Sequence, residues 1–167
     1  FTMIEWYRAH ADYRAILADM EALVAGIVPG LHAPFARLTV REAYRTFAGW
    51  DPIAAWDADR FDVDMATKIE PALPQTPVFL MDYPAPAASL ARLKPDDPAV
   101  AERWEFYVGG IELANCFSEL VDGPAQRARF EAAKAERRKL GEADYPLDGE
   151  FLDVIGTMPP SGGVALG

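Results

Sequence analysis

Two glutamates, Glu105 and Glu112, flank a Gly109-Gly110 pair in the stretch EFYVGGIELANCFSE, Glu105 to Glu119. Two strand-like runs joined by Gly-Gly predict a two-residue β-hairpin. In that register Tyr107 lies across the ladder from Glu112, and Glu105 sits diagonally from the same glutamate, so two acids share one face. Diagonal same-face neighbours are roughly 7–8 Å apart, a gap that one hydrated divalent cation with phosphate oxygens bridges. Mg²⁺ favours such sparse carboxylate ligation. The plain alternative, two solvated acids on an exposed sheet face, stays open from the hairpin alone.

A third acid stands in the opening run FTMIEWY, which alternates with the period of a strand. Phe1, Met3, Glu5 and Tyr7 share one face, and Thr2, Ile4 and Trp6 the other. A glutamate between Met3 and Tyr7 is either a ligand-facing acid or the solvated charge of an edge strand.

The composition removes several other chemistries. Cys116 is the single cysteine, so an internal disulfide and a cysteine-based zinc site are excluded, and His10 and His32 are too few for a conventional structural zinc. A net charge of −10 argues against nonspecific nucleic-acid binding by this segment. The basic run Arg137-Arg138-Lys139 is expected to close a helix, where cations offset the carbonyl end of the dipole. No apolar run approaches the ~20 residues of a membrane span, and Phe1 opens no signal peptide, so the chain reads as soluble and cytoplasmic. Its 167 residues and 51% hydrophobic content suit one domain with a sizeable core.

The elements that must position these acids follow from periodicity and punctuation. Tyr13, Ile16, Leu17, Met20, Leu23, Val24 and Ile27 recur at helical spacing and stop at Pro29-Gly30, which predicts a packing helix over 12–28. Thr39 with Glu42 forms a capping-box pattern opening a short helix that ends at Gly49, and Asp51-Pro52 is expected to start another. Residues 57–74 read as acidic, then weakly helical, with no evident chemistry. Val78 to Met81 predict a buried strand, and the Pro- and Ala-rich stretch 83–98 a long loop. An Ala-rich helix begins at Pro124 and a second covers roughly 149–155. The apolar VALG after Gly163 reads as the start of a buried strand, which suggests a piece of a longer chain.

FTMIEWY, EFYVGGIELANCFSEL and SGGVALG, in this order and spacing, resemble successive pieces of the catalytic domain of a class II aminoacyl-tRNA synthetase of the lysyl type. Within that family the phrases EWYR, GIELAN and GVALG are similar to the short paralogue that modifies elongation factor P, where the synthetase itself shows EIGNGF and GIGID. The resemblance implies an α+β fold, an antiparallel sheet flanked by helices, that holds ATP, Mg²⁺ and an amino acid for adenylate formation. It implies that Phe1 stacks on adenine, that Glu105 and Glu112 bind the metal that accompanies ATP, and that Gly167 lies at the nucleotide. Glu5, Tyr7, Ala114, Asn115, Phe117 and Glu119 are implied to surround lysine or (R)-β-lysine. Charge-assisted bonds from Glu5 and Glu119 suit a substrate with two ammonium groups.

The implied activity is ATP-dependent activation of (R)-β-lysine or lysine and its transfer to a lysine of elongation factor P, by a homodimer. Lysyl-tRNA synthetase acting on transfer RNA is the alternative, and a non-catalytic lysine-binding paralogue the second. Residues 1–167 are expected to be one partial catalytic domain. It lacks the first motif, the first half of the second with its phosphate-binding Arg, and the Arg after Gly167, so the piece alone is expected to be inactive. The region between Phe61 and Pro71 looks shorter than in relatives. Cys116 replaces a usual Gly and is expected to add bulk beside the pocket. Ala114, where the synthetase has Gly, either tunes the choice of lysine isomer, worth ~1–3 kcal/mol for a methyl, or simply packs the strand. Strict alternation puts Glu112 and Asn115 on opposite faces, so an irregularity is predicted near Ala114.

Overall fold

The computed structural model describes residues 2–167. Six strands form one sheet: β1 (Ile4–Ala9), β2 (Ala36–Thr39), β3 (Val78–Pro84), β4 (Val100–Val108), β5 (Ile111–Ser118) and β6 (Ser161–Leu166), in the order β1-β6-β5-β4-β3-β2. Every pairing is antiparallel except that of β2 with β3. The expected antiparallel sheet with flanking helices is therefore present. No helix among the described residues is long and apolar enough to cross a membrane.

The long helix predicted over 12–28 is α1 (Tyr13–Ile27), capped by Asp12, whose carboxylate accepts the Arg14 and Ala15 N–H groups. Its apolar stripe of Tyr13, Ile16, Leu17, Met20 and Val24 covers one face of the sheet, against Phe79, Trp104, Phe106, Ala114, Cys116 and Val164. Two bonds fix its start over the strands. The Tyr13 N–H donates to Ser118 Oγ at 2.9 Å, and the Trp104 indole N–H to the Tyr13 carbonyl at 2.7 Å.

Two short helices cover the β2–β4 part of the opposite face. The first, α2 (Val40–Ala43), has the predicted reciprocal Thr39–Glu42 capping box and runs on as a wide π turn to Ala48, ended by Gly49 at φ 75°. The second, α3 (Ala58–Asp64), continues through a π turn to Ile69. Between them they bury Val40, Tyr44, Phe61 and Ile69 against Val78, Leu80, Tyr83 and Tyr107. The expected helix after Asp51 is a turn, because the Asp51 carboxylate takes the Ile53 and Ala54 N–H groups locally.

β2 was not foreseen: four residues, Ala36 to Thr39, are too few to show a period, and only pairing to β3 makes them a strand. β4 begins at Val100, earlier than the hairpin reading placed it. The loop after β3 is pinned rather than free, through bridges from Ala91 to Glu119 and from Leu93 to Ala101. At the far side α4 (Gly123–Lys139) packs on α5 (Gly149–Val154). The last turn of α4 carries Arg137, Arg138 and Lys139, paired with Glu142, Asp144 and Glu136, as expected of a helix end.

Phe79 is the centre of the α1-facing layer, fully buried, with its ring 4.7 Å from Phe106 and 5.0 Å from Trp104. Phe79→Ala should cost about 3–5 kcal/mol of unfolding free energy, read by urea denaturation. A loss under about 1 kcal/mol would contradict this account of the core.

Candidate functional site

The hairpin forms with a two-residue turn in which Gly109 and Gly110 have φ of 63° and 74°, a conformation that glycine adopts at no steric cost. Tyr107 pairs with Glu112, as expected. The register then slips by one residue: Phe106 pairs with Ala114 and Glu105 with Asn115, which leaves Leu113 as the extra residue of a bulge. This is the irregularity predicted beside Ala114. Glu112 before it and Asn115 and Phe117 after it now share the face of Glu105 and Tyr107.

β6 and β1 extend that face. One row across the sheet runs Glu105, Asn115, Ala165, Glu5, and the next Arg103, Phe117, Gly163, Tyr7. Ser118 turns its hydroxyl to α1, so Glu119 faces the open side. Gly163 is the floor between them. A Cβ there would meet Tyr7 ring carbons at 2.5 and 2.6 Å and would collide with Glu119 Oε1. Only glycine lets the glutamate and the tyrosine meet over β6.

The electrostatics separate the acids. Glu105, 7% exposed, accepts Arg103 Nη2 at 2.6 Å, the Tyr107 hydroxyl at 2.7 Å and the Tyr83 hydroxyl at 2.5 Å. Arg103 is itself stacked over the Tyr83 ring at 4.4 Å. Glu105 is therefore a rigidly held carboxylate. Glu112 is pushed up to about 7, first by partial loss of water around its carboxyl, then by the charges of Glu105 and Glu70, which outweigh the opposing pull of Arg103. Burial alone pushes Glu119 up to about 7. Among the described residues Glu119 has no ion-pair partner. Tyr7 titrates above its ordinary value through burial and the neighbouring Glu119 and Glu5. Asn115 Oδ1 is buried with no donor among the described residues.

A cleft of about 370 Å³ lies over the first half of this face, lined by Glu105, Glu112, Glu70, Asp62, Tyr107 and Tyr83 among others. Among the described residues no three His, Cys, Asp or Glu side chains are grouped as a metal cage. Two carboxylates aimed into one acidic cleft fit a cation that keeps most of its own waters, as Mg²⁺ does.

The expected residues thus divide. Glu105 with Glu112, and Glu5, Tyr7, Asn115, Phe117 and Glu119, come to one face. Ala114 and Cys116 do not. Both are buried in the layer against α1, so Cys116 adds no bulk beside the pocket and Ala114 lines no part of it. The bulge that turns Asn115 outward turns Ala114 inward. Gly167 is exposed at the end of β6, its N–H bonded to the Leu113 carbonyl at 2.9 Å. Phe1 lies outside the described residues. Arg103, Tyr83, Gly163, Asp62 and Glu70 were missed. Arg103 has a sequence signal, lying two residues before Glu105 on one strand face, whereas residues 57–74, where the sequence shows no evident chemistry, supply Asp62 and Glu70 to the cleft lining.

A family profile described as class II tRNA synthetases of the D, K and N type matches residues 1–167. The chain belongs to this family. It is 35% identical over 191 residues to the elongation factor P–(R)-β-lysine ligase of Erwinia tasmaniensis and 36% identical over 191 residues to that of Vibrio cholerae, with 100% of this chain and 58% of each relative covered. It is also 34% identical over 204 residues to the lysine–tRNA ligase of Moorella thermoacetica, covering 100% of this chain and 42% of that protein. The chain thus spans 58% or less of the length of these relatives. Alignments of 191 positions against 167 residues mean that the relatives carry residues with no counterpart here.

The two raised carboxyls set a pH dependence. Each keeps its proton in the folded chain between about 4.5 and about 7, where the unfolded chain has lost it, so folding loses stability as pH rises through that window. Glu119→Gln removes one such group. Its thermal midpoint should fall less than the parent's between about pH 5 and about pH 8. Equal falls in a series of melts would show that Glu119 is not the buried, unpaired acid described.

Proposed function

We propose that this chain carries the substrate-activating face of an ATP-dependent, AMP-forming ligase, which joins (R)-β-lysine or lysine to AMP and passes it to a lysine of elongation factor P. The observation that carries the reading is Glu119, a half-buried carboxyl without a cation, set against Tyr7 over the Gly163 floor. Such an acid invites a ligand that brings its own positive charge, since an unpaired buried carboxylate costs several kcal/mol on the order given for buried ions. Glu5, one row away, suits a second ammonium, and the free Asn115 Oδ1 accepts one more N–H.

On the other half of the face, Glu105 and Glu112 would hold the divalent cation that accompanies ATP, and that cation would offset phosphate charge when bound. The chain's own residues then position and bind. Arg103, Tyr83 and Tyr107 fix Glu105; Tyr7 and Phe117 wall the amino-acid side; the adenylation step, which releases pyrophosphate, needs no side-chain general base, since its carboxylate nucleophile is already ionised at neutral pH. The likeness to the elongation factor P–(R)-β-lysine ligases of Erwinia and Vibrio supports elongation factor P as the acceptor. The match to a lysine–tRNA ligase supports a second reading, in which the same activated lysine goes to transfer RNA.

The test is pyrophosphate exchange by the full-length protein with ATP and each lysine isomer, followed by transfer to elongation factor P or to transfer RNA. Exchange with (R)-β-lysine and transfer to the protein acceptor is the expected result. No exchange with either isomer, together with retained lysine binding, would mean a binding module. Glu112→Gln should lower exchange by about a hundredfold or more without lowering the thermal midpoint, since Gln removes a carboxylate whose ionisation costs the fold stability; an unfolded variant would give Glu112 a structural role instead.

A further inference from the structure

Glu105 owes part of its geometry to a residue on the other side of the sheet. Along β3, Phe79 and Met81 face α1 while Val78 and Leu80 face the site layer. Regular alternation would send Tyr83 toward α1 with Phe79 and Met81. It does the reverse. Met81 pairs with Trp104 and Tyr83 with Ala101, so Glu102 and Arg103 together stand opposite Asp82. Asp82 has φ of 66°, the left-handed conformation that Asp tolerates better than most residues. That one kink turns Tyr83 onto the site face, where its hydroxyl reaches Glu105 and its ring stacks under Arg103.

The Asp82 carboxylate is gripped on the α1 side. Its Oδ1 accepts the Tyr13 hydroxyl at 2.8 Å, and its Oδ2 the Lys94 ammonium at 2.6 Å; both ionic side chains are less than one-fifth exposed. Lys94 also lies over the Tyr13 ring at 5.9 Å. The grip therefore joins the first residue of α1, the kinked strand and the loop after it.

We propose that Asp82 is a positioning residue for Glu105, acting through Tyr83. Tyr13 and Lys94 clamp the Asp82 side chain, the clamp holds the left-handed kink, and the kink delivers the Tyr83 hydroxyl to Glu105. This rests on the reading of Glu105 as a ligand of the cation that accompanies ATP. Asp82 itself touches neither that carboxylate nor the cleft.

Two measurements on the full-length protein test it. The first is binding of Mn²⁺ with a non-hydrolysable ATP analogue, followed by electron paramagnetic resonance. Asp82→Ala and Tyr83→Phe should each weaken binding about tenfold, the usual scale for the partner of a metal ligand. The double variant should bind no more weakly than Tyr83→Phe alone, since both act through one bond. Asp82→Asn, which keeps the left-handed preference and the acceptor for Tyr13, should recover most of the affinity. Should Asp82→Ala fail to fold, Tyr13→Phe loosens the same clamp from within α1 and should weaken binding in the same direction. Parent-like binding by Asp82→Ala, or by Tyr13→Phe if that must serve, overturns the proposal, as do multiplied losses in the double variant.

The second measurement needs no nucleotide: the ¹³Cζ resonance of Tyr83 reports its hydrogen bond to Glu105 and should shift in Asp82→Ala and Tyr13→Phe. An unmoved resonance overturns the inference. A shifted resonance in a protein that binds no Mn²⁺ would sink the metal reading of Glu105 and leave the control of Tyr83 by Asp82 standing.

Discussion

The extra residue at Leu113 is the constraint on which the site depends. A regular strand alternates with period two, so Glu112 and Asn115 cannot share a face without an insertion. One inserted residue makes both faces consistent. It keeps Glu112, Asn115 and Phe117 on the open side, and it seats Ala114 and Cys116 against α1. Pairing Leu113 regularly with Phe106, instead of bulging it out, would drive Asn115 and Phe117 into an apolar layer and expose the small residues chosen for that layer. The packing of α1 therefore holds the bulge in register, and the core and the site are specified by the same residue.

The charges on the open face show what the fold leaves unfinished. Glu105 is held by three donors, which fix it and leave about one of its four acceptor positions open. Glu112 and Glu70 share its cleft, and among the described residues neither forms an ion pair. Loss of hydration first, then the charge of Glu105 and to a lesser degree that of Glu70, holds a proton on Glu112 at pH values where a free glutamate has lost it. A divalent cation held in the cleft would offset those charges, which would link its binding to release of this proton. The same logic applies across the row at Glu119, where the missing partner is a single positive charge. The open face thus carries two separate acidic regions, the cleft at Glu105 and Glu112 and the half-buried Glu119 over Gly163.

What the sequence disclosed follows the range of the forces involved. Local signals were readable: the helical stripe of α1, the capping box of Thr39 and Glu42, and the Gly-Gly turn that sets Tyr107 opposite Glu112. The bulge was readable too, but only because the family resemblance demanded that residues of both parities serve one site. β2 was not, since its identity lies in its pairing with β3. Tyr83 was hidden for a related reason: a single left-handed residue, Asp82, reverses the parity of everything after it, and an Asp followed by Tyr-Pro carries no local mark of that reversal. Asp62 and Glu70 sat in a stretch with weak periodicity, and their place in the cleft comes from the packing of α3 and its π turn.

Ala114 shows how far a placement can change an argument. As a wall of the pocket, its methyl would discriminate substrates by contact. Buried beside Phe106, Cys116 and Val164, it can discriminate only by moving residues that do line the pocket. Its position gives it that leverage, because it is the residue just after the bulge and pairs with Phe106 on one side and Leu166 on the other. A glycine there would remove a methyl from a close-packed layer at a cost of roughly 1 kcal/mol in burial and would relax the one strand segment whose parity the site requires. Any change in substrate preference would then come with a loss of stability. A substitution acting by contact alone would leave stability nearly untouched, so substrate preference and stability measured together on Ala114→Gly tell whether Ala114 acts through the packing of β5.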